Sequence, residues 1–186
     1  MIQPIPAFDH NAVLPPHLGN PTLPSHISPY PCTTVELCRR FGTSEERREI
    51  LRKYLDFRAG LHGAGILRGF QWLDGSFLED VESREGRSPR DLDLLTIYWG
   101  YDREFLLSLK AKFPAFSDHG LAKAKYSLDH YELDAGFSPG LTVDMARYWA
   151  LLFSHTRNAV WKGMLKIDLD TGDSDSLALA ELGRKA

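Results

Sequence analysis

A chain of 186 residues, 43% of them hydrophobic, can bury one sizeable core and leaves little length for a second domain. Its 22 basic and 25 acidic residues give a formal charge of -3, which excludes the global basic field that binds nucleic acid through phosphates regardless of sequence. No apolar run reaches the roughly 18 residues needed to cross a bilayer, the N-terminus lacks a secretory layout, and Cys32 and Cys38 suggest neither a disulfide framework nor a zinc site. The expectation is a cytoplasmic protein with no membrane partner and two reduced thiols.

Eight of the eleven prolines fall in the first 31 residues. Proline removes amide donors and fixes φ, so residues 1–32 read as an extended arm, and Ile2, Ile5, Phe8, Val13, Leu14, Leu18 and Tyr30 argue that it docks on the body. The main domain, 33–170, begins with a short helix in "TTVELCRRFG". Thr43 and Glu46 read as a capping box for a helix whose apolar face carries Ile50, Leu51, Tyr54, Leu55 and Leu61, ended by Gly60, Gly63 and Gly65. An extended run "ILRGFQWLDG" follows, then a short helix after Ser76, a polar loop, and the strand "DLDLLTIYWG". Asp102 is placed to cap the next helix, Asp118–Ala124 forms another helical piece, and "KYSLDHYEL" reads as a strand. Thr142 is read as the cap of "VDMARYWALLFSHT", "VWKGMLKIDL" as the last strand, and 171–186 as a tail with one short helix that frays. The alternation predicts an α/β or α+β domain, a mixed sheet flanked by helices.

Two stretches carry chemistry. At the end of "FQWL", Gly75 lets a ligand approach the backbone and Ser76 opens a turn with free amides, which together make a seat for phosphate; an ordinary Asp-Gly-Ser turn is the plain alternative. In "DLDLL", alternate strand residues share a face about 6.6 Å apart, so Asp91 and Asp93 lie side by side. Neighbouring carboxylates repel, and a divalent cation relieves that repulsion; an all-oxygen site suits Mg²⁺ or Mn²⁺. The plain alternative is that Asp91 caps its loop and Asp93 faces solvent. Lys162 and Lys166, with His155 and Arg157 at a helix end, are cations that could meet phosphates, and Lys162 is the one taken as a phosphate contact. Arg39, Arg40, Arg47, Arg48, Arg52 and Lys53 read as a solvated helix face diluted by Glu45, Glu46 and Glu49, although an RNA could use it. Trp72, Trp99, Trp149 and Trp161 read as packing residues.

Gly-Ser after one strand and Asp-x-Asp on the next, here "LDGSF" and "PRDLDLLTIY", resemble the signature of the nucleotidyltransferase superfamily with the DNA polymerase beta type of fold. Fourteen residues separate Ser76 from Asp91, about one more than the usual spacing, with "EDVESREGRS" as the inserted loop. Taken with "LPP", "RRFG", "LFSHTR" and "WKGML", the chain is similar to an uncharacterised family of small bacterial nucleotidyltransferase-like proteins. The resemblance implies a third acid on a later strand. Asp129 is chosen, with Asp134 in reserve at the strand's exit. It further implies Asp91, Asp93 and Asp129 as catalytic and metal-binding residues for Mg²⁺ or Mn²⁺, and Gly75, Ser76 and Lys162 as contacts to an NTP such as ATP. The implied activity moves an NMP group to an unidentified acceptor, a protein, a tRNA or another RNA. A toxin-antitoxin or phage-defence module with a cognate partner protein is compatible with it. The rival expectation is a non-catalytic binding subunit of the same fold; a metal-dependent phosphodiesterase would need a richer His and Asp cluster.

Overall fold

The computed structural model describes residues 4–183. Five strands form one mixed sheet in the order β1-β5-β2-β3-β4, where β1 is Tyr30–Pro31, β2 Gly69–Asp74, β3 Leu92–Tyr98, β4 Leu128–Asp134 and β5 Leu165–Asp168. β2 is antiparallel to both β3 and β5, whereas β3 runs parallel to β4 and β1 parallel to β5. The described helices are α1 (Thr34–Phe41), α2 (Glu45–Ala64), α3 (Val81–Glu85), α4 (Arg103–Lys112), α5 (His119–Tyr126), α6 (Pro139–Phe153) and α7 (Gly172–Gly183). No helix among the described residues is long and apolar enough to cross a membrane.

The two faces of the sheet are covered unequally, and strand alternation decides which residues go where. One face presents Leu73, Leu92, Leu94, Leu128, Leu165 and Ile167 to a core filled by α1, α2, α4, α5 and α7. Fully burying a leucine is worth about 2 kcal/mol, so this face accounts for most of the apolar stabilisation. The other face carries Leu95, Ile97 and Leu133, over which α6 lays Trp149 and Phe153. Under the larger layer the polar residues bond to one another: Tyr54 and Arg58 both donate to Gln71 Oε1 at 2.8 and 2.7 Å, Gln71 donates to Thr96 Oγ1 at 3.1 Å, and Thr96 Oγ1 pairs with His130 Nε2 at 2.9 Å.

Local expectations are corrected at several points. The capping box belongs to α1, where Thr33 and Glu36 bond reciprocally; α2 is capped by Ser44, whose hydroxyl accepts from Arg47 N, so Thr43 plays no such part. α2 continues through Gly60 and Gly63 and ends only at Gly65, where φ is 90°. Pro139 at the first turn starts α6 earlier than expected, with Ser138 as its cap, and Thr142 lies inside that turn, its hydroxyl donating to Ser138 O. "KYSLDHYEL" begins as the end of α5, and "VWKGMLKIDL" is irregular until Leu165. α7 does not stand off as a frayed tail: Ala178 and Leu182 are buried, and Asp175 pairs with the buried Arg58 at 2.8 Å.

Residues 4–29 form no strand or α-helix, yet Val13 and Leu14 are fully buried. Ile5, Phe8 and Leu18 pack on the core, while Ile2 lies outside the described residues. Ala12 O accepts from Asp80 N and Leu14 O accepts from Gly163 N, so this segment ties the chain after β2 to the loop before β5.

Candidate active site

The carboxylates gather where β2 ends and β3 and β4 begin, on the face shared with α6. Register is the cause: Asp74 pairs with Asp93 across the antiparallel β2–β3 ladder, and Asp93 pairs with Asp129 across the parallel β3–β4 ladder. Paired residues point to the same side of a sheet, so three acids form a row, and Asp91 joins it two residues before Asp93. All four line one cleft of about 810 Å³ with Gly75, Ser76 and Lys162 among its other walls. The six residues singled out from sequence are therefore brought together. Asp134 is not: it falls on the opposite face and accepts from Gly136 N at 2.9 Å.

Asp93 stands at the centre of this charge. Burial first, and then Asp74, Asp91 and Asp129, push its carboxyl up to about 7, against a partial offset from Lys162. Asp74 is pushed up to about 6, chiefly by burial and despite Lys162 beside it. The backbone at Gly75, with φ of 84°, turns tightly against Asp93. The chain then makes a single 3₁₀ turn, Ser76–Leu78, and α3 begins only at Val81, capped by Asp80. The Ser76 hydroxyl has no hydrogen-bond partner among the described residues and lines the cleft.

Lys162 plays a part different from the expected phosphate contact. It lies in the irregular segment before β5, nearly buried, and its ammonium is taken by protein acceptors: Glu79 Oε1 at 2.9 Å, Asp74 Oδ1 at 3.0 Å as an ion pair off hydrogen-bond geometry, and Gly75 O at 3.3 Å. With two hydrogen bonds and one further ion pair, it clamps the Gly75 turn. Glu79 is held in turn by Arg84 at 2.7 Å. Asp74 and Glu79 carry no sequence signal of their own, since both sit in what reads as an ordinary turn and loop.

Two further residues approach from α5. Lys123 Nζ lies 3.1 Å from Asp91 Oδ2 and 3.3 Å from Asp129 Oδ2, and His119 Nε2 lies 3.2 Å from Asp129 Oδ1. His119 and Lys123 are four residues apart on one helix face, a spacing visible in the sequence and without meaning until the partner strand is known. On the far wall, the Tyr131 and Trp149 rings lie 4.6 Å apart. Arg90 and Arg157 also line the cleft, and neither forms an ion pair among the described residues.

The chemistry of the donors fits a hard divalent cation: Asp91, Asp93 and Asp129 offer oxygen alone, and among the described residues Asp93 lacks an ion-pair partner in a row of like charges. As the side chains stand, no group of three or more His, Cys, Asp or Glu among the described residues closes around one point. The Lys123 ammonium sits between Asp91 and Asp129 instead.

No curated protein and no solved structure matches the chain. Residues 6–168, most of its length, match a family of unknown function, DUF6932, and the chain belongs to that family.

Proposed function

We propose that the protein is a metal-dependent nucleotidyltransferase, with a nucleotidyltransferase-like sheet and a Pro-rich N-terminal arm packed on it. The observation that carries this reading is the in-register row of Asp93 and Asp129 beside Asp91, open to one cleft whose edge is the Gly75–Ser76 turn. Asp91, Asp93 and Asp129 would hold Mg²⁺ or Mn²⁺. When bound, the ion supplies positive charge to phosphate oxygens and neutralises the row of acids.

The remaining steps belong to the chain. The Ser76 hydroxyl, without a partner among the described residues, and the amides of its turn meet the phosphates of an NTP, and Arg90 and Arg157, two cations of the cleft with no carboxylate partner among the described residues, offset their charge. Lys162 keeps the turn in place through Gly75 O. Asp129 accepts the proton as the acceptor hydroxyl attacks the α-phosphorus; a new P–O bond forms in line with the one that breaks, and pyrophosphate leaves. Positioning and electrostatics supply most of the rate, so loss of one acid leaves the fold and removes turnover. The acceptor is a protein, a tRNA or another RNA.

A second reading, a binding subunit with a cognate partner protein, is favoured by α6, which leaves Leu141, Val143, Tyr148, Leu151 and Leu152 exposed next to the cleft. Thermal shift with each NTP, with and without Mg²⁺, separates the two. Stabilisation that needs both nucleotide and Mg²⁺ supports the enzyme; none with any NTP favours the subunit.

A further inference from the structure

Two lysines touch the acids of the cleft in opposite ways. Lys162 is buried with its partners and fixed by hydrogen bonds to Glu79 and Gly75 O and an ion pair with Asp74. Lys123 is half exposed, and its two ion pairs, to Asp91 and Asp129, are with carboxylates themselves about a quarter exposed. Exposed pairs of this kind contribute little to stability. A long flexible stem lets such an ammonium leave without disturbing its helix.

Its placement is nonetheless fixed by the backbone. α5 passes into β4 through one residue, Ser127, with φ of 54°, and this left-handed turn folds the α5 face bearing His119 and Lys123 back over the first residues of β4. Lys123 thereby spans the gap between Asp91 and Asp129, while His119 Nε2 stays on the other oxygen of Asp129. Asp93, flanked by both of these acids, has no ion pair among the described residues. One movable positive charge thus serves the two outer members of a three-acid set and leaves the central one offset only in part, by Lys162.

We propose that Lys123 is a displaceable placeholder cation. It holds Asp91 and Asp129 together while no divalent ion is bound and yields both carboxylates when one binds, so that ion affinity is set by competition with this ammonium. The proposal rests on the metal-dependent reading of the cleft.

The test is a Mn²⁺ titration of the full chain at low ionic strength, with free Mn²⁺ read by electron paramagnetic resonance, for wild type, Lys123→Met and Lys123→Arg. Removing the competitor raises the fraction of sites ready for the ion, so Lys123→Met binds about tenfold more tightly. Lys123→Arg, whose guanidinium still bridges two carboxylates, binds no more tightly than wild type. Equal or weaker binding by Lys123→Met, while wild type binds Mn²⁺, overturns the placeholder and leaves the metal-dependent reading standing. Failure of all three proteins to bind Mn²⁺ overturns both.

Discussion

A Cβ placed on Gly75 would lie 2.6 Å from Asp93 Oδ2 and 2.7 Å from its Cγ, so the turn after β2 and the central acid of β3 touch because residue 75 has no side chain. The same glycine holds φ at 84°, a conformation that L side chains rarely adopt. Backbone requirement and close approach coincide at the point where a phosphate would meet the carboxylates.

Gly75→Ala is therefore expected to destabilise the fold by about 2 kcal/mol, the sum of left-handed strain and overpacking against Asp93. Urea denaturation measures it. In a double-mutant cycle with Asp93→Ala the two effects should fall short of additive, because the second change removes the atoms that clash and leaves only the strain.

Lys162→Met tests the clamp. It leaves Asp74 buried without its cation and Glu79 with Arg84 alone, which costs about 3 kcal/mol by analogy with other broken buried pairs. Lys162→Met combined with Glu79→Gln should recover part of that loss, since one buried charge is removed with its partner. A single variant as stable as wild type would show that the ammonium contributes nothing to the turn.

Asp93 gives stability a pH dependence of definite sign. Its carboxyl titrates at about 7 in the folded chain, against an ordinary aspartate value of 3.8, so its contribution is fully present below about 4 and is lost as pH rises through 7. With a chelator present, Asp93→Asn, which cannot ionise, should therefore gain stability over wild type from pH 5 to pH 8, a gain read from urea midpoints. It should at the same time abolish NTP consumption, the trade expected where a strained site serves function.

His130 acts in the opposite direction. Buried beneath β4 and paired with Thr96, it is pushed down to about 3, first by burial and then by His119, so its contribution is present above about 6.5 and is lost as pH falls toward 3. In NMR its ring protons should keep the neutral imidazole shift down to pH 4. A midpoint near 6.5 would mean that the ring is solvated.

Much of the site is legible in the sequence because it is local. The alternation read from "DLDLL" brings Asp91, just before β3, and Asp93 within it to one cleft, and glycine before Ser76 marks a tight approach. Asp102 is readable as a cap and accepts the expected amide, from Phe105 N, while Asp118, read as the start of a helical piece, instead caps α5 by accepting from Leu121 N. The rest depends on pairing. Nothing in "KYSLDHYELD" states that β4 lies parallel to β3 with Asp129 opposite Asp93, and this register is what separates Asp129 from Asp134. Lys123 and His119 reach the acids through a left-handed serine at 127, a conformation that composition does not announce. Alternating polarity around Lys162 suggests a strand; in the fold that segment is held by Leu14 O and Ser154 O, and its lysine turns inward to Glu79. The Pro139 start of α6, by contrast, is available from sequence, since Ser-Pro at a helix entrance is a recognised first-turn signal.

The central claim is that Asp91, Asp93 and the Gly75–Ser76 turn work on one nucleotide. Pyrophosphate release from each NTP, with Mg²⁺ and with total cellular RNA or lysate as the source of acceptor, measures this for wild type, Asp91→Asn and Asp93→Asn. Mg²⁺-dependent release by wild type, lost in both folded variants, is the expected result. Release that persists unchanged in either variant, or no release from any NTP by wild type, contradicts it.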